Sequence, residues 1–108
     1  MIKSFADIRK DDLRGMVRRV DNLGRILVPK EYRKELGLEE DNRIELAVLP
    51  DGLLVRPLRS SKGPARRIDA LGRVNIPVTA RRALGIAFGD ELEMFLLRDG
   101  MFIRKKIV

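Results

Sequence analysis

Basic side chains are the residues of this 108-residue chain whose type and grouping point to chemistry. A planar guanidinium can donate two parallel hydrogen bonds to a phosphate or to the edge of a guanine, and a lysine ammonium adds a compact charge. Lys and Arg number 23 against 16 Asp and Glu, which gives a net charge of +7. This excess favours a polyanionic partner, either nucleic acid or an anionic membrane surface. A basic protein that is merely well solvated is the alternative.

Other chemistry has little support in the sequence. The chain contains no Cys and no His, which excludes a disulfide framework, a zinc finger and a nucleophilic Cys–His pair. The absence of His also removes the commonest general acid or base. Glu45 and Glu93 lie in apolar segments with no second acid at ligand spacing. We therefore predict a protein that is not an enzyme and that needs no metal or other cofactor.

The two halves of the chain repeat each other at a fixed spacing of 48 residues. Leu23-Gly24-Arg25 recurs as Leu71-Gly72-Arg73, and Leu36-Gly37 recurs as Leu84-Gly85. The same spacing relates further identical residues without a gap: Arg19 and Arg67, Asp21 and Asp69, Pro29 and Pro77, Arg33 and Arg81, Glu45 and Glu93, Asp51-Gly52 and Asp99-Gly100, and Arg56 and Arg104. One spacing held over about forty positions indicates a tandem duplication.

Each copy has the same predicted secondary structure, ββαββ. Two short strands flank an Asp-x-Leu-Gly turn, in which Asp suits an Asx-turn and Gly suits a positive φ. A helix of about two turns follows, with a proline near its first turn and a glycine at its C-terminus. Two further strands turn back at an Asp-Gly, a strong hairpin signal. The predicted strands before that turn are 17–20, 25–28 and 43–49 in the first copy, and 65–68, 73–76 and 91–97 in the second.

A single copy of about 45 residues is too small to close a stable core alone, and its exposed strand edges would be removed by a barrel. We therefore predict a mainly β fold with short helices, in which two copies pair about a pseudo-twofold axis in a β-barrel. Either the two copies of one chain pair, or two chains exchange copies and form two barrels. The predicted boundaries are an N-terminal arm at 1–14, the first copy at 15–59, a linker at 60–64 and the second copy at 65–108. Within the arm, Ile2, Phe5 and Ile8 have the spacing of one helix face, and a mobile arm is the equal alternative.

The segment from Val17 to Gly37 closely resembles the AbrB/MazE/SpoVT family. It has a basic strand, then Asp-x-Leu-Gly-Arg, an apolar triplet, a proline, and a basic pair ahead of Leu-Gly; the stretch from Arg66 to Gly85 repeats that pattern. The two matches together cover about residues 15–106. The resemblance implies a swapped-hairpin barrel, in which hairpins from two halves interleave around a twofold axis. It also implies cytoplasmic DNA binding, usually for transcription control or in an antitoxin that represses its own operon.

The resemblance further implies which basic residues contact DNA, namely those on the first strand, after the Leu-Gly turn and on the short helix. Carried over by motif position, these are Arg18, Arg25, Arg33 and Lys34 in the first copy and Arg66, Arg73, Arg81 and Arg82 in the second, with Arg19 and Arg67 as neighbours. Some of these arginines can be structural instead. For Arg25 and Arg73 the alternative is an ion pair across the turn, with Asp21 and Asp69.

The two copies differ in charge. Residues 16–59 carry nine basic and eight acidic residues, whereas residues 60–108 carry ten and five. The first helix segment, 29–35, mixes acids with bases, while the second, 77–83, has no acid. We therefore predict that the second copy contributes most of the positive field.

These observations predict a sequence-specific regulator of transcription that binds double-stranded DNA. An antitoxin that controls its own operon is one alternative, less favoured because the chain ends at Val108 without a long tail to wrap a toxin. A barrel that mediates protein interaction or oligomerisation without DNA is the other. No apolar run approaches the roughly 18 residues of a membrane span, and the N-terminus lacks a signal-peptide core. We expect a soluble cytoplasmic protein, and the sequence leaves homo-oligomerisation open.

Overall fold

Short strands and two short helices make up most of the fold. The computed structural model describes residues 2–8, 15–39, 41–58 and 66–106; the predicted linker at 60–64 lies outside them. The strands are β1 Met16–Arg19, β2 Arg25–Leu27, β3 Arg43–Leu49, β4 Gly52–Pro57, β5 Arg66–Arg67, β6 Arg73–Asn75, β7 Glu91–Leu97 and β8 Gly100–Lys105. The helices are α1 Lys30–Glu35 and α2 Val78–Leu84, after a turn of 3-10 helix at Phe5–Asp7. The predicted ββαββ order is confirmed in both halves.

The two copies are interleaved rather than placed side by side. Six strands form one antiparallel sheet in the order β1-β7-β8-β4-β3-β5, and β2 pairs with β6 in a separate two-stranded ribbon. The first strand of each copy therefore pairs with the third strand of the other copy, β1 with β7 and β5 with β3. This exchange is the swapped-hairpin arrangement that the family resemblance implies.

The strand registers define a pseudo-twofold axis. In the β2–β6 ribbon Ile26 lies opposite Val74, and in the β4–β8 pair Leu54 lies opposite Phe102. Each of these residues is paired with its own counterpart at the 48-residue spacing. The axis therefore passes through the middle of the ribbon and the middle of the sheet, and it relates the two copies of this single chain.

One apolar core lies between the sheet, the ribbon and the helices. The ribbon contributes Ile26 and Val74, each 1% exposed, and the sheet contributes Leu53 and Leu92, which are fully buried. Tyr32 of α1 is also buried, and its hydroxyl donates a hydrogen bond to the backbone carbonyl of Met94, 2.9 Å away. Because both copies line this core, neither encloses it alone.

The β3–β4 and β7–β8 hairpins occur where the Asp-Gly signals predict them, but the glycines have a different role. Gly52 and Gly100 begin β4 and β8, and neither has a positive φ. A Cβ on Gly52 would collide with the ring of Phe102, and one on Gly100 with the backbone carbonyl of Val55. These glycines are needed for close approach of strands across the pseudo-twofold axis.

Residues 2–8 of the predicted arm pack on the outer face of the sheet. The Phe5 ring lies 5.1 Å from that of Phe95 and 5.6 Å from that of Phe102, between centroids. The guanidinium of Arg104 lies 3.8 Å from the centre of the Phe5 ring, and Ile8 is 5% exposed. This part of the arm is therefore packed, with only one turn of helix, while residues 9–14 lie outside the described part of the chain.

Candidate nucleic-acid interface

The Asp-x-Leu-Gly turn of each copy is built around its aspartate. Oδ1 of Asp21 accepts hydrogen bonds from the backbone N–H of Leu23 at 2.9 Å and of Arg25 at 2.8 Å. Oδ2 accepts a third bond, from Nε of Arg25 at 2.8 Å. Asp69 makes the same three contacts at 2.9, 2.8 and 2.7 Å. Both the predicted Asx-turns and the alternative of an ion pair across the turn are therefore present.

These contacts keep both aspartates ionised. Partial burial raises the pKa of Asp21, but hydrogen bonds from the backbone and guanidinium of Arg25 and from the Leu23 N–H outweigh it, so the pKa lies below its ordinary value. The pKa of Asp69 is lowered in the same way by Arg73 and Leu71. The carboxylates are acceptors at neutral pH, and they hold each guanidinium in one orientation.

The ion pair occupies only one of the donor groups of each arginine. Arg25 and Arg73 contact aspartate through Nε, and their side chains remain 25% and 28% exposed. Within the described residues, the Nη groups of these two arginines have no hydrogen-bond partner. The pair of Nη groups is itself a bidentate donor, so one guanidinium can hold the turn and still bind an external acceptor.

Each turn also receives an arginine from the helix of the other copy. Arg81 of α2 donates from Nε to the carbonyl of Ile76 at 2.9 Å, and its guanidinium lies over Gly24 so closely that a Cβ there would be 2.6 Å from Cζ. In the other half, Arg33 donates to the carbonyl of Val28 at 3.3 Å, and it covers Gly72. The two turns therefore each combine an arginine of their own copy with one of the other copy.

Gly24 and Gly72 are required at these places for two reasons. Their φ angles, 78° and 86°, lie in the left-handed region that favours glycine. They also leave room for the guanidinium from the opposite helix. Their carbonyls accept hydrogen bonds across the axis, from Ile76 N–H and Val28 N–H at 2.8 Å each. The sequence predicts the positive φ, but nothing in it predicts the arginine that lies above.

The basic pairs of β1 and β5 lie immediately before the two turns and differ in their surroundings. Arg19 is 70% exposed and donates to the carbonyl of Gly89 at 3.2 Å, with Glu91 3.9 Å away. Arg67 is exposed and donates to Oδ1 of Asn42 at 3.1 Å, and its partner across the strands is Arg43. Arg43 is itself paired with Asp41 at 2.9 Å, so the edges differ chiefly in that Arg19 lies near a carboxylate whereas Arg67 is bound to an amide.

The remaining predicted contacts are more varied. Arg18 is half-buried and donates to the carbonyl of Val17 at 2.9 Å. Arg66 on β5 is exposed, as are Lys34 on α1 and Arg82 on α2. Within the described ranges, the side chains of Arg66, Lys34 and Arg82 make no hydrogen bond and no ion pair. They are the members of the predicted set with the most freedom to meet a ligand.

The outer face of the ribbon adds two residues that the sequence reasoning missed. Ile26 and Val74 point into the core, so alternation places Arg25, Leu27, Arg73 and Asn75 on the opposite, outer face. Leu27 is 41% exposed, and Asn75 is exposed. The alternation of β2 and β6 is visible in the sequence, but the pairing that puts these four side chains on one surface is not.

Two other candidate sites have structural explanations. Glu93 lies 3.5 Å from the guanidinium of Arg104, and Glu45 is opposite Arg56 in the β3–β4 register. The described part of the chain contains no group of three or more acidic, His or Cys side chains that could hold a metal. Nor does it contain a helix long and apolar enough to cross a membrane.

Comparison with known proteins finds a similar family for part of the first half of the chain. Residues 17–63 match the family described as antidote-toxin recognition MazE, bacterial antitoxin. This segment, which is less than half of the chain, is therefore similar to a MazE-type antitoxin domain. This chain is 59% identical over 41 residues to Stage V sporulation protein T of Bacillus subtilis (strain 168). The aligned segment covers 38% of this chain and 23% of that protein. This chain is 44% identical over 42 residues to Transition state regulatory protein AbrB of the same organism, covering 39% and 44%.

These matches are short, so they support conclusions about only part of this chain. The aligned parts span less than half the length of either relative. The family match contains the turn at Asp21, the helix α1 and the strands β3 and β4, which belong to the first copy. That the second copy is a domain of the same type is our inference from the 48-residue repeat and from the pseudo-twofold strand pairing.

Proposed function

We propose that this chain is a sequence-specific regulator of transcription, in which the two copies together bind double-stranded DNA. The observation that carries the proposal is the arrangement of Arg25, Arg33, Arg73 and Arg81. Each of these arginines donates through Nε to a carboxylate or a backbone carbonyl of this chain. The four side chains are grouped around the two turns that flank the ribbon. The names of the relatives agree with it, since one is called a transition state regulatory protein.

Fixed guanidinium groups suit this function for a physical reason. A flexible arginine loses side-chain freedom when it binds, at a cost of about 0.5–1.5 kcal/mol for each immobilised side chain. Here the aspartate, carbonyl and glycine contacts order the side chains before any ligand arrives. The Nη edges can then meet phosphates or guanine edges with less entropy to lose.

The shape of the ribbon also suits DNA. A two-stranded β-ribbon fits the major groove, where each base pair presents a distinct pattern of donors and acceptors. The β2–β6 ribbon carries polar and apolar side chains on its outer face, while Arg66, Lys34 and Arg82 supply exposed charge for the phosphates. In this proposal the ribbon reads bases and the exposed charges fix the position of the protein on the backbone. Association of whole chains into oligomers stays a prediction.

A set of matched single variants tests this assignment. Arg82→Ala removes an exposed charge from the proposed interface, and Arg98→Ala removes one from the β7–β8 turn of the same copy. We expect Arg82→Ala to weaken binding to duplex DNA by about 1 kcal/mol or more, and Arg98→Ala to change it little. Lys34→Ala should have a smaller effect than Arg82→Ala, because Glu31 and Glu35 flank Lys34 and lysine cannot make a bidentate contact.

The measurement is a fluorescence anisotropy titration of all three variants at one salt concentration, with circular dichroism to verify folding. Equal losses for Arg82→Ala and Arg98→Ala would mean that binding follows net charge and not this surface. A larger loss for Lys34→Ala than for Arg82→Ala would contradict the prediction that the second copy is the stronger anchor.

A further inference from the structure

We propose that Leu27 and Asn75 are specificity-determining residues that give the DNA site of this protein a fixed polarity. The proposal rests on the proposed function, since it concerns what the outer face of the ribbon would read. The two residues are related by the pseudo-twofold axis, and they are the one pair of counterparts on that face whose side chains differ in type.

The outer face of the ribbon is nearly symmetric. Arg25 and Arg73 are counterparts at the 48-residue spacing, and each is held by its turn aspartate in the same way. Leu27 and Asn75 are counterparts as well, but one is aliphatic and the other is a carboxamide. Since Ile26 and Val74 pair at the axis itself, Leu27 and Asn75 lie at equivalent places on opposite sides of it.

The register places each of these residues beside an arginine. Asn75 lies opposite Arg25, and Leu27 lies opposite Arg73. Directly opposite side chains in an antiparallel pair have Cβ atoms about 4.5–5.5 Å apart, so each couple can meet the same base step. One half of the ribbon therefore presents an arginine with a carboxamide, and the other half presents an arginine with an apolar side chain.

The two couples have different chemical preferences. A carboxamide can read adenine in a bidentate pairing, in which its amino group donates to N7 and its oxygen accepts from the N6 amino group. A leucine has no polar atom and is suited to the methyl group of thymine. The amide of Asn75 is only weakly held by the protein, since its nitrogen lies 3.5 Å from the carbonyl of Leu23. Both polar atoms are therefore available for a base.

The consequence is a site that is not a palindrome. Two identical halves would read the same bases on both sides of a twofold axis. This chain joins two unlike halves covalently, so the Asn75 side and the Leu27 side are present once each on every molecule. The protein then binds a given site in one preferred orientation. The genes on the two sides of that site therefore face different halves of the protein.

A swap of the two residues tests the proposal. Sequences bound from a pool of random duplexes are selected with the natural chain and with the double variant Leu27→Asn/Asn75→Leu. Orientation is read from a DNA-cleaving chelate attached at Glu35→Cys, an exposed position in a chain with no other cysteine. Leu27→Asn and Asn75→Leu alone serve as second variants, since both positions are exposed and the core is untouched.

The expected result is a non-palindromic site that the labelled natural chain cleaves at one end. The double variant should cleave the same duplex at the other end, and each single variant should lose about tenfold of the preference between orientations. A palindromic site, equal cleavage at both ends by the natural chain, or an unchanged orientation in the double variant would overturn this inference while leaving DNA binding intact. Absence of binding to any duplex at low salt would instead overturn the proposed function.

Discussion

At the scale of single residues, the turns of this protein are shared between the two copies. Asp21 orients Arg25 within one turn, and Arg81 arrives from the other copy to cover Gly24. The sequence offers the Asp21–Arg25 ion pair as an alternative, because the two residues are only four positions apart. It does not predict the arginine contact, because that depends on how strands separated by about fifty residues pair.

Gly24 offers a direct test of the cross-copy contact. Gly24→Ala must place a Cβ in the space that the Arg81 guanidinium occupies, at a φ of 78°, whereas a Cβ on Gly85, at a φ of 66°, would have no atom within 4 Å. Both variants should lose about 1–2 kcal/mol of unfolding free energy from the left-handed backbone. Only Gly24→Ala should also displace Arg81 and weaken DNA binding.

Urea denaturation gives the unfolding free energies, and DNA titration gives the binding change. If Gly85→Ala weakens binding as much as Gly24→Ala, the loss comes from general destabilisation and the proposed role of Arg81 at the turn is wrong.

At the scale of elements, local sequence signals determine the strands and helices, and long-range pairing determines the site. β3 and β7 begin and end at the residues predicted, because their apolar runs are bounded by turn residues. β5 is limited to Arg66–Arg67 within the described residues, shorter than the predicted strand at 65–68. The outer face of the ribbon was not predicted, because two three-residue strands acquire a common surface only when they pair.

The exchange of strands predicts how the protein behaves when it is divided. Splitting the chain between residues 61 and 62 separates β1 from β7 and β5 from β3, and it opens the core. We expect neither half to fold as a monomer, and we expect the two halves to copurify in equal amounts when they are coexpressed. Analytical ultracentrifugation and circular dichroism measure this. Stable, folded monomers of each half would show that the copies do not share one barrel.

At the scale of the whole molecule, a covalent link lets the two halves diverge while they stay paired. Residues 16–59 have a net charge of +1 and residues 60–108 have +5. The strand edges do not follow this division, since Glu91 opposite Arg19 belongs to the second copy and Arg43 opposite Arg67 belongs to the first. The overall charge was evident from the sequence, but its placement on two unlike edges of one sheet required the topology.

The dependence of DNA affinity on salt tests the central claim of this account most directly. The proposed interface neutralises phosphates with arginine and lysine, so binding releases counterions. With about six to eight such contacts, the logarithm of the association constant should fall with the logarithm of salt concentration with a slope of about −5 to −7. Titration of a random duplex at several salt concentrations measures this slope. A slope near zero, or no binding at low salt, would contradict the assignment of this basic surface to double-stranded DNA.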